Sequence, residues 1–310
     1  MPTQTQTGKA FEYAITKVLL EKINGKTKVN LIEDNAFKTA KECYDFFDIP
    51  DKEKYIKAAS KAISHILQLE PCLINSSEIN ISIQYDQRGA LGDPRDVIIV
   101  GNKDWEIGFS IKNNNDMSIK SPRLSSTVDF SKNWFNIPCN LEYTKTMNEI
   151  FNKLDEEKNS RKITLWSQLK DKDNYYGLIL DAFLKEICFL IDKVPNIAQL
   201  LCQYVIGKYD FYMIMKFNDK LTIKAFNMFS SLNKSFESIR PQIKIAKVKF
   251  PSRIIEAKRI STNKVHVTFD EGWTISFRIH NGSSKIQSSV KLEICFIGLP
   301  PSVYVHNESW

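Results

Sequence analysis

Apolar side chains recur at helical spacing over residues 7–24, where Phe11, Ala14, Ile15, Val18 and Leu19 line one face, and this predicts an amphipathic helix. Two more helices are expected within 35–69, the clearer one in Asp51-Lys-Glu-Lys-Tyr-Ile-Lys-Ala-Ala-Ser-Lys-Ala-Ile. The period then changes. Ile79-Asn-Ile-Ser-Ile-Gln-Tyr alternates strictly, as a strand with one buried face does. Next, Asp96-Val-Ile-Ile-Val and Trp105-Glu-Ile-Gly-Phe-Ser-Ile-Lys112 flank Gly101-Asn-Lys-Asp, the pattern of a β-hairpin. Residues 133–206 return to helical spacing. The polar stretch Asp155-Glu-Glu-Lys-Asn-Ser-Arg-Lys interrupts them and reads as a mobile, solvent-facing connection. Strands are expected again over 211–217, 221–227, 244–250, 254–260, 264–270, 273–280 and 290–297. The chain is therefore expected to be a mixed α/β (α+β) protein in three regions. These are 1–140 with the N-terminal helices and the hairpin, a helical 141–208, and a β-rich 209–310 whose sheet packs beside the first.

The hairpin carries the densest chemistry. In its second strand Glu106, Gly108, Ser110 and Lys112 point one way and Trp105, Ile107, Phe109 and Ile111 the other, so one face is core and one is polar. Pairing Val100 with Glu106 around the turn sets Asp96 opposite Ser110 and beside Lys112, whereas a slip of one residue destroys that facing. Phosphodiester hydrolysis uses such a combination. A carboxylate holds Mg²⁺, which neutralises the scissile phosphate and lowers the pKa of a bound water, while a lysine orients that water or stabilises the added charge. The spacing resembles the PD-(D/E)xK nuclease core, a short and degenerate motif that surface hairpins also produce. Two departures stand out. Ser110 occupies the position two before the lysine where an acid is usual, and Glu106 cannot replace it, because four residues along a strand span roughly 13 Å.

A second carboxylate must then come from elsewhere. Glu12, in Gly8-Lys-Ala-Phe-Glu-Tyr-Ala-Ile, resembles the acid on the first helix of such nucleases, although a glutamate near a helix start is also favoured by the helix dipole. Asp129, in Ser125-Ser-Thr-Val-Asp-Phe-Ser-Lys-Asn-Trp, is a second candidate and equally a helix N-cap. Asp93 precedes the hairpin and is explained by an Asp-Pro turn.

The wider pattern adds specificity. Gly92-Asp-Pro-Arg-Asp-Val-Ile-Ile, Glu106-Ile-Gly-Phe-Ser-Ile-Lys-Asn-Asn, Arg123-Leu-Ser and Asp129-Phe-Ser-Lys-Asn-Trp together resemble the HaeIII family of type II restriction endonucleases. So do Gly8-Lys-Ala-Phe-Glu-Tyr-Ala-Ile near the start, and Ser276-Phe-Arg-Ile-His-Asn-Gly-Ser-Ser-Lys, Ser289-Val-Lys-Leu and Ile297-Gly-Leu-Pro near the end. The resemblance spans most of the chain in one order. It implies a restriction-endonuclease-like core with a helical insertion, and Mg²⁺-dependent cleavage of double-stranded DNA at a short palindrome, GGCC in this family. It also implies a restriction-modification system with a cognate DNA methyltransferase. On this footing Asp96, Lys112, Ser110 and Glu12 are the catalytic candidates, with Asp96, Glu12 and then Asp129 as metal ligands. The serine before the lysine belongs to the family pattern. Whether one subunit or a homodimer acts is left open.

For sequence reading the last third offers most. A strand over 273–280 puts Ser276, Arg278 and His280 on one face, and Asn281, Ser283, Ser284 and Lys285 follow at once. Arginine or lysine binds guanine O6 and N7 bidentately, which makes Arg278 and Lys285 the natural readers of a G-rich site, with the others on phosphates or bases. Arg88, Lys120 and Arg123 are further DNA candidates nearer the hairpin. A second basic set that includes Lys258 and Arg259 suits phosphates.

Composition agrees with these expectations without adding to them. Lys and Arg exceed Asp and Glu, 43 against 36, which suits a polyanionic partner, and 43% apolar residues can bury a sizeable core. No run of eighteen apolar residues and no signal-peptide pattern occurs, so a soluble, cytoplasmic protein without a membrane role is expected. Six cysteines lack any Cys-x-x-Cys pair and four histidines are scattered, so zinc and a disulfide framework are unsupported. A phosphate-binding loop and a serine elbow are both missing. Two other classes compete with the restriction enzyme, a DNA-binding protein on a decayed nuclease fold and a repair or recombination nuclease that recognises DNA shape.

Overall fold

The computed structural model describes residues 2–85, 92–102, 105–114, 118–280 and 285–310. It divides into two compact units. One comprises Met1–Asp116, Lys208–Lys249 and Pro301–Trp310, and the other Met117–Gly207 and Phe250–Pro300.

The first unit begins with α1 (Gln4–Ile23), whose start is closed by a reciprocal pair of hydrogen bonds between Thr3 and Gln6. There follow β1 (Lys28–Ile32), α2 (Asn35–Asp45), α3 (Ile49–Leu69), a single turn α4 (Cys72–Asn75) and β2 (Glu78–Ile83). Asp34 and Asp48 cap α2 and α3, accepting from Ala36 N and Asp51 N. The hairpin is β3 (Val97–Gly101) and β4 (Glu106–Asn113), with Val100 opposite Glu106, the register expected from the turn. Gly101 has a steric reason. A Cβ there would lie 2.2 Å from Cε2 of Trp105, whose ring packs across it.

The later strands of this unit depart from the expected arrangement. Strand β7 (Phe211–Lys216) pairs parallel to β4, β8 (Lys220–Phe226) follows antiparallel, and β13 (Tyr304–Ser309) closes the edge. The mixed seven-stranded order is β1-β2-β3-β4-β7-β8-β13. Part of the region 209–310 thus completes the hairpin's own sheet. The segment 244–250 forms no strand: its backbone is held singly, Ile245 N by the Asn233 side chain at 2.7 Å and Val248 N by Asn227 O at 2.9 Å. Helices α1 to α3 cover the apolar face bearing Ile107, Phe109, Ile111, Tyr212 and Ile214. Deep in this core Glu70 accepts from the Tyr212 hydroxyl at 2.5 Å and from Asn233 N at 2.7 Å, while burial pushes its carboxyl up to about 7. Two histidines far apart in sequence also meet here. His65 and His306 stack 3.7 Å apart, and burial followed by the neighbouring imidazole brings His65 down to about 4.

The second unit holds β5 (Ser118–Lys120), β6 (Arg123–Leu124), α5 (Phe130–Phe135), α6 (Leu141–Ser160), α7 (Lys172–Lys193) and α8 (Ile197–Ile206). Its strands β9 (Ile254–Ser261), β10 (Lys264–Phe269), β11 (Thr274–His280) and β12 (Val290–Gly298) form an antiparallel sheet in the order β5-β12-β11-β10-β9, with β6 also on β12. The charged stretch from Asp155 is helical as far as Ser160, not a connection. Glu157 explains this, since it holds both Arg161 and the Tyr175 hydroxyl, the latter at 3.0 Å. Among the described residues the cysteines form no disulfide, with Cys72 and Cys202 buried and Cys188 exposed. Among the described residues no helix is long and apolar enough to cross a membrane.

Candidate active site

Asp96 immediately precedes β3 and is fixed from both sides. Its N–H donates to Phe109 O and its carbonyl accepts from Gln84 N, each at 2.7 Å. The side chain is then aimed along β4: Oδ2 accepts from Ile111 N at 2.6 Å and lies 3.6 Å from Lys112 Nζ. The two side chains are 25% and 20% exposed, so the pair is open to a ligand yet partly desolvated. Asp96 Oδ1 takes no hydrogen bond among the described residues. Ser110, on the same strand face as Lys112, is 1% exposed and its Oγ has no hydrogen-bond partner among the described residues. The orphaned Ser110 hydroxyl and the unbonded Asp96 oxygen, both carried by this hairpin, are hard oxygen donors, which fits Mg²⁺ in a site completed by water and phosphate.

Glu12 sits on the buried face of α1, paired with Lys9 Nζ at 2.9 Å. Its helix packs against β4, the strand that carries Lys112. Asp129 belongs to the second unit and is the N-cap of α5. Its carboxylate accepts from Lys132 N at 2.9 Å and from Cys139 N at 3.1 and 3.2 Å. Burial alone would raise its pKa, but these donors hold it below the ordinary carboxylate value. Among the described residues no group of three or more His, Cys, Asp or Glu gathers as a metal cluster.

Arg95 was not singled out by sequence reasoning. Its side chain is 4% exposed and forks onto Asp93, Nε to Oδ1 at 2.7 Å and Nη2 to Oδ2 at 2.8 Å, while Nη1 meets Glu106. The guanidinium also stacks 3.8 Å over the Tyr209 ring. Burial would lower its pKa, but the two carboxylates more than offset this and raise it. Asp93 and Glu106 are thus both committed to one arginine, which locks the chain just before Asp96. Gly108 lies under this clamp: a Cβ there would stand 2.0 Å from Arg95 Cδ. Gly108→Ala is expected to cost about 1–3 kcal/mol through overpacking, measured by thermal unfolding. An unchanged melting curve would mean that the arginine moves aside freely.

The recognition candidates lie in the second unit. Arg278 and Glu293 face one another across β11 and β12, with Nε donating to Oε2 at 2.7 Å, and His280 is exposed opposite Lys291. Arg123 donates to Gln287 Oε1 at 2.8 Å and to Ser289 Oγ at 2.9 Å. Lys120 lies 4.0 Å over the Tyr204 ring, and Lys285 is exposed and bridges to Leu165. Arg88, Asn281, Ser283 and Ser284 lie outside the described residues. The second basic set divides. Lys258, Lys264 and His266 share the polar face, where burial and then the two lysines lower the His266 pKa, whereas Arg259 reaches Asp181 of α7 at 3.0 Å.

The family model for the HaeIII restriction endonuclease matches residues 8–300. The chain is 35% identical over 311 residues to the type II restriction enzyme HaeIII of Haemophilus aegyptius, covering 98% of this chain and 97% of that protein. No solved structure matches significantly. A family match from the first helix to the last strands of the second sheet, together with a full-length relative, settles the relationship: the chain belongs to the HaeIII restriction endonuclease family.

Proposed function

We propose that this chain hydrolyses phosphodiester bonds of double-stranded DNA at a short G·C palindrome, GGCC by family resemblance, on a PD-(D/E)xK-type core. The observation that carries the reading is the Asp96–Lys112 pair at 3.6 Å, with Asp96 immediately before β3 and Lys112 on its neighbour β4, two residues after Ser110. Asp96, with Ser110 and Glu12 as the nearest further candidates, would hold Mg²⁺, and a dication there supplies charge neutralisation and a more acidic water. The chain's own contribution is positional. Ile111 N–H fixes the Asp96 carboxylate, and that carboxylate holds the Lys112 ammonium where it donates to a phosphate oxygen or to the attacking water. Water adds to phosphorus, one ester P–O bond breaks, and the products are a phosphate monoester and a hydroxyl. The β11–β12 face with Arg278 and His280 supplies base-edge and phosphate donors, and Arg123, Lys120 and Lys285 supply further cations of the same unit. A cognate methyltransferase would protect the host's own sites.

Incubation of duplex DNA with the protein and Mg²⁺, followed by mapping of fragment ends, tests this. Discrete fragments ending within one sequence are expected. Binding without cutting would favour the decayed-nuclease reading, and ends without a common sequence a shape-directed nuclease.

For the second carboxylate, Glu12→Gln is expected to raise the Mg²⁺ concentration needed for half-maximal cutting more than Asp129→Asn does. The capping bonds of Asp129 instead predict a stability loss of about 1 kcal/mol for its substitution. The reverse order in a magnesium titration would place the ligand at Asp129.

A further inference from the structure

Glu293 needs a reason on a face proposed to meet DNA. It sits on the polar face of the second sheet with Lys258, Lys264, His266 and Lys291, where a carboxylate is repelled by phosphates. The other carboxylate there, Glu256, is neutralised by Lys258, whereas Glu293 is turned to Arg278. Both Nε and Nη2 of Arg278 nevertheless contact Glu293 Oε2, the first at 2.7 Å, and the side chains are 43% and 20% exposed. A guanidinium has five N–H donors, so those not turned to Glu293 remain for other acceptors, and Glu293 Oε1 keeps its own acceptor capacity.

We infer that Glu293 is a specificity-determining residue that reads one G·C pair jointly with Arg278, Arg278 donating to guanine O6 and N7 and Glu293 accepting from cytosine N4. In the major groove a G·C pair presents two acceptors and then a donor, and the side-by-side arginine and glutamate present donors and then an acceptor. An A·T pair conflicts twice: adenine N6–H₂ meets the guanidinium and thymine O4 meets the carboxylate. Rejection therefore comes from repulsion as well as from lost bonds. Glu293 also holds Arg278 in place before DNA arrives, which lowers the ordering cost of binding.

The inference rests on the proposed reading of a G·C site, so wild-type cutting at a mapped site in Mg²⁺ is the first control. Binding is then measured in Ca²⁺ with duplexes altered at one pair at a time, guanine to 7-deazaguanine, which lacks N7, or cytosine to a pyrimidin-2-one, which lacks the 4-amino group. Wild type is expected to lose about 5- to 150-fold with either analogue at one particular pair. At that pair Glu293→Ala should become indifferent to the cytosine analogue and Arg278→Ala to the guanine analogue. Glu293→Gln, which keeps the packing and an acceptor oxygen, should recover part of the cytosine sensitivity. A merely structural role would lower affinity for all duplexes alike. If wild type cuts a fixed site but Glu293→Ala remains as sensitive as wild type at every cytosine, this inference fails alone. If wild type cuts no duplex, the proposed function fails first.

Discussion

Lys112→Ala is expected to slow DNA cleavage by roughly 10²–10⁴-fold while leaving duplex binding in Ca²⁺ close to that of wild type. The side chain projects from the polar face of β4, and its ammonium is held 3.6 Å from Asp96 Oδ2, so its loss removes a positive charge from the reacting phosphate without opening a core cavity. Ile107, Phe109 and Ile111, on the opposite face, keep the strand packed in its absence. Lys112→Arg is not a conservative control, because a planar guanidinium cannot occupy the place of a compact ammonium. Substantial cutting by Lys112→Ala would remove the hairpin from the chemistry.

Arg95→Ala should be the most destabilising single change near the site, at about 3–5 kcal/mol, because it leaves the Asp93 carboxylate facing a cavity with its counter-charge gone. It also removes the stacking on Tyr209. Thermal unfolding of the variant measures the loss. Since Arg95 is the residue before Asp96, activity should fall with the fraction folded and then beyond it, as the carboxylate loses its fixed entry angle. A variant as stable as wild type would mean that the buried ion pairs roughly balance their own desolvation.

The hairpin was legible in sequence because its information is local. Gly101-Asn102 marks the turn, the period of two assigns the faces, and one pairing, Val100 with Glu106, then places Asp96 beside Lys112. The helix carrying Glu12 was legible for the same reason. Pairings that cross the chain were not. β7 lies parallel to β4, across roughly a hundred intervening residues with nothing local to announce it, so periodicity alone groups the strands of the closing third into a separate sheet. Arg95 was hidden by its setting, since Asp-Pro-Arg before a strand reads as a turn, and the buried fork onto Asp93 depends on Gly108, whose missing Cβ makes the room. Likewise Arg278 looked like a free base-reader. Its partner Glu293 is fifteen residues on, and only the β11–β12 register brings the two together.

Asp96, presented by this hairpin, is expected to make DNA cleavage depend on a divalent cation. The most direct measurement is the single-turnover cleavage rate of a GGCC duplex as a function of Mg²⁺ concentration, for wild type and for Asp96→Asn. The asparagine keeps the shape and an acceptor for Ile111 N–H, so the hairpin should survive the change. The wild-type rate is expected to rise with Mg²⁺ and saturate, and the variant to stay near background at every concentration while still binding the duplex in Ca²⁺. A variant that cuts with the wild-type magnesium dependence would remove Asp96 from the metal site.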